Sequence, residues 1–240
     1  GKTSFVNAAL GLIRPASGSL RLFGKPPRSH AVRQRIGVMM QDAELPNRLT
    51  VRELIELFAS YYPKPLASQE IIDRCELGGF ATARFGRLSG GQKRRTQFAL
   101  ALVGNPDLIF LDEPTTGLDA DARRSLWANV RDAASAGATI ILTTHYLEEA
   151  DALADRVAVI DQGRIIADDT ADALRAKVGG SVIRCATKLE TPALSRLPEV
   201  RHVQRTGRFA ELLVGDAVAA LRSLIEASPD LSDLTVRPPS

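Results

Sequence analysis

Apolar positions recur along the chain in two rhythms. Phe5, Val6, Ala9, Leu10 and Ile13 return about every 3.6 residues and predict a helix over 4–13. RPASG breaks it, and SLRLFG then alternates as a short strand. RIGVMMQ, residues 35–41, is a compact apolar run closed by a polar residue, the pattern of a buried strand. TVRELIELFASYY is helical. Thr50 and Glu53 form a capping box, Leu54, Leu57, Phe58 and Tyr61 mark one face, and Pro63 and Pro65 stop it. A further helix over about 69–77 is expected to end at Gly78-Gly79.

Beyond RLSGG a helix is predicted over about 91–103, ended by Asn105-Pro106, followed by the buried strand DLIFLDE at 107–113. A helix over 120–136 stops near Gly137. ATIILTTH (138–145) reads as a strand, YLEEADALA as a helix and RVAVID as a strand. Continuous apolar strands alternating with amphipathic helices predict a largely parallel sheet covered on both faces. Residues 43–100 interrupt that alternation as a helical subdomain. The tail, about 181–238, runs strand, helix, hairpin through Gly207, helix, strand, the order of a small ferredoxin-like domain. The expected division is therefore 1–170 and 181–240.

Composition narrows this picture only slightly. The 240 residues carry a net charge of +3, from 25 Arg and 6 Lys against 28 acids, too small and too dispersed a surplus for a nucleic-acid surface. The tail also lacks the stacking aromatics that an RNA-binding sheet of that topology needs. No uncharged run approaches a membrane span. Cys75 and Cys185 have no paired Cys or His spacing for zinc and read as two reduced thiols.

Three short stretches carry the chemistry. Gly1-Lys2-Thr3, followed by a helical pattern, matches the last third of a phosphate-binding loop whose earlier glycines are not in the sequence. LIFLDEP ends a buried strand in Asp112 and Glu113, at the sheet edge where parallel folds bind ligands. Asp112 suits a magnesium shell and Glu113 the activation of a water, although a solvated acid pair at a strand end fits the same letters. LSGGQ gives a capping box between Ser89 and Gln92, which alone marks only a helix start. Gly90-Gly91 adds bare amides at that start, which suit an anion.

With GLIRPASGSLRLFG, DEPTTGLDADAR and TTHYLEEAD in the same order, the chain resembles the ATP-binding subunit of an ABC transporter over nearly its whole length. The resemblance implies a P-loop NTPase (RecA-like) α/β fold with a helical signature subdomain. It assigns Gly1, Lys2, Thr3 and Ser4 to the end of the Walker A loop and Gln41 to the Q-loop. Ser89, Gly90, Gly91 and Gln92 match the signature, Asp112 and Glu113 Walker B, Asp119 the D-loop, and His145 the switch histidine. ATP and Mg2+ are the implied cofactors, with Thr3, Gln41 and Asp112 around the metal, and with Glu113, His145 and Gln41 serving catalysis.

The implied partners are a second ATP-binding subunit, in a head-to-tail dimer, and a membrane permease met by residues near 42–62. Neither nucleic acid nor direct membrane insertion is implied. That places the protein on the cytoplasmic face of the membrane. TTGLDADARRSLW, THYLEEADALADRVAVID and the tail resemble the drug-export, daunorubicin-type branch. An importer ATPase shares every core motif. A non-transport ABC ATPase or a non-enzymatic relative fits less well, because the cassette is single and Asp112, Glu113 and His145 are all present. The family's first strands, its adenine-stacking aromatic and its final short helix have no counterpart here. The expectation is a piece of a longer chain that binds ATP poorly on its own.

Overall fold

The structure, a computed structural model, describes residues 1–41, 43–178, 180–228 and 230–237. The chain divides into two compact units, Gly1–Leu153 with Ile160–Arg164, and Ala154–Val159 with Ile165–Ser240. The first contains α1 (Lys2–Ala9), α2 (His30–Arg33), β1 (Ile36–Met39), α3 (Val51–Ala59), α4 (Ser68–Arg74), α5 (Gly90–Leu102), β2 (Leu108–Asp112), α6 (Ala120–Ser135), β3 (Thr139–Thr143) and α7 (Leu147–Leu153). Then come β4 (Val157–Asp161), β5 (Arg164–Asp169) and α8 (Ala171–Val178). The tail adds β6 (Ser181–Ala186), α9 (Thr191–Leu194), β7 (Val200–Thr206), β8 (Phe209–Val214), α10 (Ala217–Ala227) and β9 (Ser232–Arg237).

β2 lies between β1 and β3 in a parallel sheet. All five of its residues are buried because both faces are covered. Leu108 and Phe110 point to one face, into a cluster with Val6, Ala9 and Val32. Ile109 and Leu111 point to the other, among Leu54, Ile71, Phe98 and Val130. The continuous apolar run is therefore two alternating sets, one for each layer of helices. At Gly37, in β1, α5 comes so near that a Cβ would stand 2.0 Å from the Ala101 carbonyl oxygen and 3.1 Å from Pro106. The glycine is there because a backbone presses on the strand.

The tail has the strand order β7-β8-β6-β9 with every pairing antiparallel, the ferredoxin-like arrangement. Ala210, Leu212 and Val214 alternate inward along β8 to meet Ile183, Leu194 and Leu224, so this sheet buries one face. Both cysteines are free and buried. Loss of water pushes the Cys75 thiol up to about 12. It stays neutral near pH 7 and is no nucleophile.

Several sequence expectations are corrected. SLRLFG forms no strand, only an isolated pair between Leu22 and Lys25. Phe23 and Gly24 both take positive φ, 51° and 73°, and close a two-residue turn that cuts the alternation. Helix α1 ends at Ala9 instead of 13, with Gly11 at φ 73° beyond it. On α3 the buried stripe is Val51, Leu54 and Ile55. Phe58 packs beside them, while Leu57 and Tyr61 are 37% and 64% exposed. α4 stops before its glycines because Glu76 turns to φ 53°, and Gly78–Phe80 form a separate 3-10 turn. β4 does not extend the parallel sheet. It pairs with the unforeseen β5. Gln162 and Gly163, at φ 44° and 79°, supply the tight turn between them.

Gly37→Ala is expected to destabilise the chain by about 1–3 kcal/mol or more, since the obstacle is the Ala101 backbone. Gly78→Ala, whose Cβ would meet nothing within 4 Å, should stay within about 0.5 kcal/mol of the parent. Urea unfolding of the two variants side by side checks both.

Candidate active site

The carboxyl ends of β2 and β3 bring most of the expected residues together. Their register sets Asp112 opposite Thr143. Asp112 is only 2% exposed, and its Oδ1 accepts a short hydrogen bond from the Thr143 hydroxyl. One residue on, Glu113 takes φ 48°, unusual for a residue with a side chain, and turns its carboxylate away from the strand. Its N–H donates to the Thr143 carbonyl at 3.0 Å and to the Thr143 hydroxyl at 3.3 Å. Thr143 therefore fixes both acids.

The Glu113 carboxylate is held from two sides. Oε1 lies 3.2 Å from Nδ1 of His145, and Oε2 accepts from the Thr116 hydroxyl at 3.2 Å. His145 is not the last residue of its strand, as its sequence position suggested. β3 ends at Thr143, and the histidine occupies the bend before α7. Lys2, the first residue of α1, reaches the same edge and donates from Nζ to the Thr144 carbonyl at 2.5 Å. That acceptor is neutral, so the ammonium charge remains available to an anion. Thr3 and Ser4 are exposed on the same first turn.

Gln41 lies half-buried two residues past β1, on the strand next to β2. Helix α5 holds this segment from both sides, Arg94 donating to the Met40 carbonyl at 3.5 Å and Gln97 to the Ala43 carbonyl at 3.1 Å. Among the described residues no group of three or more His, Cys, Asp or Glu could hold a metal. The donors implied for magnesium are instead a hydroxyl, an amide oxygen and one carboxylate: Thr3, Gln41 and Asp112. All are hard oxygen donors set on α1 and on two adjacent strand ends, and that fits a cation that keeps several of its waters.

Ser89 to Gln92 forms a separate feature. Gln92 N–H donates to the Ser89 hydroxyl at 3.2 Å, and the Gln92 side chain accepts from Ser89 N–H at 2.9 Å. The Ser89 hydroxyl is engaged in the cap that the sequence predicts. It accepts within the cap and keeps its proton to donate. A Cβ on Gly90 would meet nothing within 4 Å, and one on Gly91 would make only ordinary contacts, with Ala122 at 3.5 Å and Leu118 at 3.9 Å. Packing within the chain does not demand either glycine. Asp119 caps α6 next to this turn, accepting from Ala122 N–H at 2.8 Å. Among the described residues no hydrogen bond or ion pair joins the Ser89 turn to the edge formed by Lys2, Glu113 and His145.

Thr143 and Thr116 escaped the sequence reading. The doubled threonine of ILTTH was visible, but the register that sets Thr143 against Asp112 was not.

Comparison with known proteins identifies the family and the fold. A family model described as ABC transporter matches residues 1–116. A daunorubicin resistance ATP-binding protein of Streptomyces coeruleorubidus is 38% identical, with all of this chain and 81% of that protein covered. A Nod factor export ATP-binding protein I of Burkholderia orbicola is 41% identical across 76% of this chain, which spans 63% of that relative. A solved dimeric ATP-binding cassette, in a post-hydrolysis state with ADP and phosphate bound, superposes with a TM-score of 0.64. It is 25% identical, and the match covers 71% of this chain and 81% of that one.

Thr143→Val is expected to lower stability by about 1–3 kcal/mol, because it leaves a buried carboxylate oxygen without its donor. Thr143→Ser keeps the hydroxyl and should lose far less, as chemical denaturation of the pair would reveal.

Proposed function

The chain belongs to the ABC transporter family as an ATP-binding subunit related to drug and Nod factor exporters, and on that premise we propose that it binds and hydrolyses ATP to power export through a separate membrane permease. The observation that carries this reading is the meeting of Lys2, Asp112, Glu113 and His145 at one edge of the parallel sheet. Lys2 supplies positive charge to the phosphates, aided by the amide groups of the first turn of α1. Thr3, Gln41 and Asp112 hold magnesium, which when bound offsets phosphate charge.

Glu113 acts as the base that orients and deprotonates the attacking water. Its carboxylate is already aimed by His145 and Thr116, so little reorganisation is needed when substrate arrives. His145 holds Glu113 through Nδ1 and has its second ring nitrogen for the terminal phosphate. Gln41 senses that phosphate and transmits its presence along the segment gripped by Arg94 and Gln97.

The Ser89, Gly90, Gly91 and Gln92 turn serves the nucleotide of a second copy, with Asp119 beside it. Two glycines without a packing reason at a helix start, and the lack of any hydrogen bond or ion pair to Lys2, Glu113 or His145 among the described residues, support that division of labour. Two such copies make a twofold dimer with ATP at each shared site. The permease docks on the segment near 42–62, where Leu57 on α3 and Tyr61 just past its end stand exposed. Asp42, at the start of that segment, lies outside the described residues. On this reading the chain is a peripheral subunit on the cytoplasmic face; no described helix is long and apolar enough to cross a membrane. The tail, 181–240, is read as an accessory domain; its residues 229 and 238–240 also lie outside the described set.

In the full-length protein, Glu113→Gln is expected to slow ATP turnover by about 100-fold or more while ATP binding persists. An ATP-dependent dimer should then accumulate on gel filtration. Turnover at the parent rate would remove Glu113 from the role of base.

A further inference from the structure

His145 occupies a bend, outside any strand or helix, so something else must hold it within reach of Glu113. The neighbouring helix α6 does so at three places. The Arg123 guanidinium carbon sits 5.3 Å from the centre of the Tyr146 ring, which itself lies against His145 with 4.1 Å between ring centres. Arg123 Nη1 is also 3.8 Å from Glu148 Oε2. Four residues along α6, Trp127 Nε1 donates to Glu149 Oε1 at 3.3 Å. Glu149 is 1% exposed, an unusual location for a carboxyl group.

The tie is chemically expensive. Glu149 Oε2 and Arg123 Nε are both buried without partners. Two helices that needed only to adhere would do so more stably through apolar contacts. A half-satisfied polar junction at this position calls for another explanation, and its location supplies one. The same helix begins at Asp119, beside the Ser89 turn. Its far contacts end on the residues flanking His145.

We propose that Trp127 and Arg123 are positioning residues for ATP cleavage, which hold His145 against Glu113 by bracing Tyr146, Glu148 and Glu149. This rests on the catalytic reading of Glu113 and His145 given above. The brace aligns the imidazole and makes no contact with substrate. A displacement of about 1 Å at a reacting group can slow catalysis by up to about 100-fold, so the loss of one tie is expected to register in kcat.

The test is steady-state ATP hydrolysis by the full-length protein carrying Trp127→Phe, Arg123→Met, Glu149→Gln or His145→Ala, with the double variants Trp127→Phe/His145→Ala and Arg123→Met/His145→Ala. Trp127→Phe removes the indole N–H and keeps a ring; kcat should fall about tenfold while KM for ATP stays within about twofold. Glu149→Gln retains an acceptor for the indole and should keep near-parental turnover. Neither double variant should be slower than His145→Ala alone, since the brace works through that side chain. Arg123→Met provides the same cycle should Trp127→Phe not fold. Parental kcat in both Trp127→Phe and Arg123→Met, with His145→Ala slow, would overturn the brace and leave the catalytic reading standing. Additive losses in the double variants would likewise overturn it. Parental turnover in His145→Ala would overturn the catalytic reading and the brace together.

Discussion

The chemistry of this protein depends on the register between two parallel strands. With Asp112 opposite Thr143, the threonine hydroxyl reaches the buried carboxylate and the backbone of Glu113 at once. A buried carboxylate without such a donor would be strongly disfavoured. A slip of one residue would turn Asp112 to the opposite face of the sheet and bring an apolar neighbour to the edge. The register is in turn fixed by packing, because Ile109 and Leu111 fit only one layer of helices and Leu108 and Phe110 only the other. The edge that carries Asp112 and Glu113 is thus an outcome of core packing.

From that edge two lines of rigid contact lead away. One leads from the end of β1, the strand beside β2, to α5, where Arg94 donates to the Met40 carbonyl and Gln97 to the Ala43 carbonyl. The other passes through His145 and Tyr146 to α6. The two helices start near one another, a Cβ on Gly91 standing 3.5 Å from Ala122 in the turn that Asp119 caps. On the proposed reading that place meets the second copy, so occupation of the nucleotide site and docking of the partner act on the same pair of helices. A segment with two discrete arrangements, biased at both ends, is what such coupling requires.

Much of this was legible in the letters. The capping boxes at Thr50 and Ser89 form as read, because a cap is a local hydrogen-bond pattern set by four residues. The ferredoxin-like order of the tail followed from its turns. Less legible were features fixed by contacts distant in sequence. The helical face at Leu57 and Tyr61 was misjudged because apolar residues there are exposed, and periodicity cannot distinguish a core face from a surface that is apolar for another reason. SLRLFG failed as a strand because Phe23 adopts a left-handed conformation seldom expected of an aromatic residue. Thr143, Trp127 and Glu149 carried no motif of their own. Only the pairing of β2 with β3 and the packing of α6 on α7 reveal them.

The central claim is that the charged edge of one copy and the Ser89 turn of another share a single nucleotide. Mixing two inactive variants, Lys2→Ala and Ser89→Arg, measures this most directly. Random pairing leaves about a quarter of the shared sites intact, each joining a parental Lys2 from one copy to a parental Ser89 from the other. ATP hydrolysis well above that of either variant alone is the predicted result. No recovery, from a mixture shown to contain mixed dimers, would mean that both residues serve one site within a single chain.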